Sequence, residues 1–126
     1  KIDGVNILEV LQGKESEPRD HFFYYYGNNN LEAVRKDNWK LILPHSSRSY
    51  EGVLPKNDGH PGPYNTITTE LELYDLRRDP GEEYNVIEMH PKIVQEILQL
   101  AEIARDDLGD NLTGRVGENI RKHGTL

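Results

Sequence analysis

"HFFYYYGNNNLEAVRKDNWKLIL", residues 21–43, decides the fold. The aromatic run at 21–26 is followed by Gly-Asn-Asn-Asn, residue types that tolerate the left-handed backbone a turn requires. "LEAVRK" and "NWKLIL" then flank Asp37-Asn38, a tight-hairpin signal. Strand alternation puts Phe22, Tyr24 and Tyr26 on one face and Phe23 and Tyr25 on the other, and it separates Ala33 and Arg35 from Val34. Three strands are predicted here. "ELELYDL", residues 70–76, supplies a fourth, with Leu71, Leu73 and Asp75 on one face and Tyr74 and Leu76 near the other.

The sheet needs a cover. Pro91 suits a first helical turn, where a missing N–H costs nothing, and Ile93, Ile97, Leu100 and Ala104 follow at spacings of four, three and four. Gly109 ends that pattern. The predicted architecture is therefore α+β: a four-stranded antiparallel sheet packed on one face by a C-terminal helix, Pro91 to Leu108. Apolar residues on both faces of a one-helix sheet leave the second face requiring a partner. Ahead of this unit, residues 1–18 form a lead-in segment in which Val5, Leu8 and Leu11 mark a short helix. The domain proper is 19–108, and 109–126 is a Gly-rich tail expected to lie against something else or to be loosely held.

Between strands three and four lies "KLILPHSSRSYEGVLPKNDGHPGPYN", residues 40–65, which starts as a strand and continues as a polar loop holding two of the five histidines. Loops of that length in small domains are functional or disordered.

Composition narrows the function. A formal charge of −7 opposes binding to a polyphosphate backbone, so no nucleic acid partner is expected. No cysteine is present, which removes thiolate metal sites and a cysteine nucleophile from this chain. No run is long enough for a membrane span. Lys1 in place of an initiator Met reads as a fragment or a processed product. The five histidines show no HExxH-like pairing, so no metal site is assigned. "SEPRD" at 16–20 misses a Ser-x-Pro-x-Arg nucleophile motif by one residue, and no catalytic residue is assigned either.

"LYDLRRDPGEEYNV", residues 73–86, reads on its own as a strand end, a proline-set turn and a return, with Glu82 or Glu83 reaching back to free backbone donors. It also resembles the C-terminal signature of the sulfatase family, of the arylsulfatase A type. "DGVNILEVLQGK", "PRDHFFYY" and "AVRKDNWKLI" precede it in that family's order and approximate spacing, and "ARDDLGDNLTGR" is similar to the tail of several members. The resemblance spans residues 3–116.

It implies the smaller, C-terminal domain of a sulfuric ester hydrolase, packed on a catalytic domain of the same polypeptide. That absent domain would carry the formylglycine nucleophile and the calcium site, and this chain alone would be inactive and without cofactor. The resemblance also implies a periplasmic, secreted or lysosomal setting. It places the segment after the Trp-Lys strand at the rim of the active-site cleft, where a sulfated saccharide or aryl sulfate would be met by His45, Arg48, Tyr50 and His60, with Lys56 beside them. Trp39 is read as a packing residue. An ordinary solvated loop remains the other reading of residues 44–60, and a stand-alone carbohydrate- or anion-binding module, or a purely structural interaction domain, the other readings of the whole chain.

Overall fold

A computed structural model describes residues 6–14 and 19–120. Strands β1 (His21–Tyr26), β2 (Asn30–Lys36), β3 (Trp39–Ile42) and β6 (Glu72–Asp75) form one antiparallel sheet in the order β1-β2-β3-β6. Phe23, Val34, Leu41 and Leu73 are register partners across all four strands. A bulge between Tyr24 and Tyr25 puts Leu31 opposite Tyr25, so Leu31 joins that apolar face although plain alternation would turn it away. The turns are where the residue types place them. Gly27, Asn29 and Asp37 adopt φ of 54°, 73° and 52°, values that Gly, Asn and Asp tolerate.

The predicted four-stranded sheet and covering helix are present. Helix α2 (Pro91–Leu108) has Pro91 in its first turn and closes its core face with Val94, Ile97, Ala101 and Ala104. This differs from the predicted stripe in two members: Ile93 and Leu100 sit half-buried on its flank, while Val94 and Ala101 hold the centre. Small alanines let the helix axis approach the sheet, and the larger side chains then fit beside the contact line. Trp39 packs against this core, with its ring centroid 4.6 Å from that of His90.

Residues after α2 fold back onto the sheet. Gly109 has φ 81°, and a Cβ there would lie 2.8 Å from the Arg115 carbonyl and the Gly117 nitrogen, so this turn requires glycine. Asp110, 0% exposed, accepts hydrogen bonds from Leu31 N and Leu112 N and a charge-assisted one from Arg105 Nε. Asn29 Nδ2 donates to the Leu108 carbonyl, Asn111 N donates to the Asn29 carbonyl, and Tyr25 OH reaches the Ala104 and Gly109 carbonyls. Asn29 and Tyr25 thus supply donors to carbonyls at the helix end.

The polar segment is the largest departure from expectation. Residues His45–Ser49 form β4 and Asn65–Thr69 form β5, and the two pair antiparallel as a separate ribbon. The described residues therefore contain six strands where four were predicted. Apolar periodicity could not announce these strands, because neither ribbon face is buried in the core. Helix α1 (Leu8–Leu11) lies in the predicted lead-in but buries none of its residues, and Val5 lies outside the described residues.

Candidate functional site

The ribbon is built from alternation without a hydrophobic side. Ser46 pairs with Thr68 and Arg48 with Thr66, so these four side chains share one face, and all four residues are exposed. Just past the strand ends, Tyr50 and Tyr64 extend the same line. Their rings lie 6.4 Å apart, edge to face, and the Arg48 guanidinium carbon sits 5.4 Å from the Tyr64 centroid, within cation–π range. Tyr50 is 45% and Tyr64 54% exposed. Arg48 pairs with no carboxylate among the described residues.

His45 is placed differently from the other residues read as substrate contacts. Its side chain is 10% exposed, its Nδ1 lies 2.7 Å from the Leu43 carbonyl and its Nε2 lies 3.4 Å from a Glu32 carboxylate oxygen. A carbonyl only accepts, so Nδ1 carries the hydrogen and the ring ties the base of β4 to the main sheet. His60 stands in an exposed turn closed by Lys56 N donating to its carbonyl and by its own N–H donating to Asn57 O. An open cleft lies there, lined by Pro55, Lys56, Asn57 and His60. The fold thus brings Arg48 and Tyr50 together, keeps His60 in its own turn and turns His45 inward. Tyr64 escaped the sequence reading because its position across from Tyr50 exists only once the ribbon register is known.

A second surface lies on the sheet face that α2 does not cover. Phe22 packs edge-on against Tyr24 at 4.9 Å, and Lys40 Nζ stands 5.1 Å above the Tyr24 ring. The same ammonium pairs with both Glu82 oxygens, at 2.7 and 2.8 Å. Glu82 is therefore engaged across the sheet, and Asp79, not Glu82 or Glu83, accepts the backbone hydrogens of Glu83 and Tyr84 at the corner. Tyr74 is buried beside this pair. Burial, and then its hydrogen bond to Glu72, push its phenol up to about 12. Tyr25, on the core side, is raised to about 12 by burial and by the nearby Asp110 charge. Among the described residues no group of three His, Cys, Asp or Glu side chains could hold a metal ion, and no helix is long and apolar enough to cross a membrane.

A four-stranded sheet with one covering helix and a polar ribbon at its side defines a small α+β domain, and comparison with known proteins gives its family. The sequence profile of the C-terminal region of aryl-sulfatase matches residues 17–122, and the chain belongs to that family. It is 34% identical over 103 residues to an N-acetylgalactosamine-6-O-sulfatase of Bacteroides thetaiotaomicron, covering 79% of this chain and 18% of the relative. It is 26% identical over 102 residues to bovine arylsulfatase A, covering 78% of this chain and 20% of that protein. A solved structure described under the metabolism of multiple glycosaminoglycans by Bacteroides thetaiotaomicron superposes with a TM-score of 0.54 at 32% identity, over 78% of this chain and 19% of that one. The chain spans about a fifth of the length of these relatives.

Proposed function

We propose that this chain is the accessory part of a sulfatase, docked on a catalytic domain through the helix-free sheet face and offering its ribbon to the substrate at the rim of that domain's cleft. The observation that carries this reading is the face itself. A one-helix sheet leaves Phe22, 47% exposed, beside Tyr24 and the Lys40–Glu82 pair, an aromatic centre with a charged margin, which is the composition of an inter-domain contact. Hydrolysis of the sulfate ester would belong to the catalytic domain, where calcium and formylglycine, if present, would supply the Lewis acid and the nucleophile. The residues described above bind, orient and exclude water. On this reading the chain alone is inactive and depends on the catalytic domain for the nucleophile.

The test is reconstitution with a family sulfatase from which the C-terminal region has been removed. Neither this chain nor the truncated enzyme alone should release sulfate from an aryl sulfate at the full rate, and the mixture should. Phe22→Glu should prevent the pairing while leaving the chain folded. A chelator should abolish the activity of the pair without lowering the thermal midpoint of this chain. A truncated enzyme that is fully active alone and forms no complex with the chain would overturn the proposal.

A further inference from the structure

We infer that helix α1 is an apolar plug that seats in a groove of the catalytic domain, so that its side chains complete that domain's core and not the core of this one. The partner's identity rests on the accessory-domain reading, but the contact is a second one, separate from the helix-free sheet face. α1 is built by its own neighbours. Asn6 Oδ1 accepts the Leu8 N–H at 3.0 Å, serving one of the donors that a helix start leaves open. At the other end Gly13, with φ 73°, donates to the Val10 carbonyl while Lys14 N donates to the Glu9 carbonyl, the paired bonds of a left-handed glycine stop. The turn thus closes both ends within residues 6–14, yet it buries none of its own residues.

What the turn presents is a single apolar face. At about 100° per residue, Ile7, Leu8, Val10 and Leu11 fall within an arc of about 160°, and Asn6, Glu9 and Gln12 take the remainder. The four apolar residues are 51%, 53%, 44% and 74% exposed, so the described residues leave the arc open. A helix this short is not held in water by its own hydrogen bonds, and a partner surface has to supply the rest. Three observations make the catalytic domain that partner. The profile of the C-terminal region begins at residue 17, past α1, so the helix lies outside the unit that this family shares as its C-terminal region. The relatives are about five times as long as the stretch they share with this chain, which leaves a much larger fold to receive it. Between α1 and β1 the sequence Lys14-Glu15-Ser16-Glu17-Pro18-Arg19 is charged and contains proline, the composition of a boundary between two folded units. This chain's own helix-free face does not take the helix, since α1 buries nothing and Phe22 stays 47% exposed. A second copy is disfavoured too, because one helical turn on each side covers far less area than a stable dimer needs.

The experiment is calorimetric titration of the 126-residue chain into two versions of a family sulfatase, one cut at the position aligned with Lys1 and one that keeps its own counterpart of residues 1–14. Leu8→Asp combined with Leu11→Asp should weaken binding to the first by at least about a hundredfold, the loss of two buried aliphatic side chains. Binding to the second should not change, because its own helix already fills the groove. The thermal midpoint of the double variant alone should equal that of the unaltered chain, since α1 supports nothing in this fold. Gln12→Ala, on the polar side, should leave both complexes as they are. Unchanged affinity of the double variant for the first enzyme would overturn the inference, and if Phe22→Glu still blocked that complex the accessory-domain reading would stand. A lowered thermal midpoint, or altered amide shifts at Phe22 and Tyr24 in the double variant alone, would overturn it by placing α1 on this chain's own sheet. Dimers of the unaltered chain that disappear in the double variant would overturn it in favour of a second copy. No complex with either enzyme would overturn the inference and the accessory-domain reading together.

Discussion

The four-stranded sheet and the two-stranded ribbon use the same alternation to opposite ends. In the sheet, Phe23, Val34, Leu41 and Leu73 give one face to α2, and that burial holds the domain together. In the ribbon the corresponding positions are Ser, Thr, His, Arg and Asn with Ile67 the one apolar member, and a lone two-stranded hairpin has little stability of its own. It is held from its base, by His45 against Leu43 and Glu32 and by Leu43 N donating to the Glu32 carbonyl. The difference teaches where change is tolerated. Sheet residues are fixed by packing, whereas the exposed ribbon residues are not.

Substitutions sharpen that contrast, beginning with the largest effects. Asp110→Ala should cost about 3–5 kcal/mol in chemical denaturation, because it removes the acceptor of Arg105 Nε, whose guanidinium keeps only its Glu102 pair, and of two backbone donors at once. Ile97→Ala should cost about 2–5 kcal/mol, since Ile97 is 0% exposed at the centre of the helix–sheet contact. A loss below about 0.5 kcal/mol for Ile97→Ala would break the account of the core. Tyr25→Phe should cost about 1–3 kcal/mol through its two carbonyl partners.

Tyr25 also sets a pH window. Its folded pKa of about 12 exceeds the unfolded value of 10, so its contribution is complete below pH 10 and is lost as pH rises through 12. Tyr74 adds in the same direction. Stability measured from pH 9 to 12 should fall, and more gently in Tyr25→Phe. At the small end, Arg48→Ala and Tyr64→Ala should change stability by no more than about 0.5 kcal/mol, because both side chains are exposed.

The sheet was legible because its signals are local and agree with one another. Aromatic alternation, Asp37-Asn38, the Gly-Asn turn and the Pro91 start each point to the same elements. The helix stripe was legible only to within one residue, since Val94 and Ile93 are neighbours and the sheet's shape decides which faces inward. The ribbon was not legible as strands. Period-two patterning is visible only when one set of positions is apolar, and "HSSRS" and "NTITT" lack such a set. Of the site, Arg48 and Tyr50 could be named from residue type, whereas Tyr64 depended on a pairing between segments fifteen residues apart. The inward turn of His45 depended on Glu32, a residue of another sheet. Asp110 was hidden for the same reason, because its partners come from β2 and α2 and no tail motif reveals them.

The most direct measurement is kcat/KM of the reconstituted enzyme on a sulfated tetrasaccharide and on a small aryl sulfate, for the unaltered chain, Arg48→Ala, Tyr64→Ala and Ile97→Ala. The ribbon variants should lose about tenfold on the tetrasaccharide and nothing on the aryl sulfate, the cost of one charge-assisted or stacking contact. Ile97→Ala should reduce both substrates alike, in step with the fraction of chain folded. Ribbon variants that lower both substrates equally, or neither, would contradict the division of labour between sheet and ribbon.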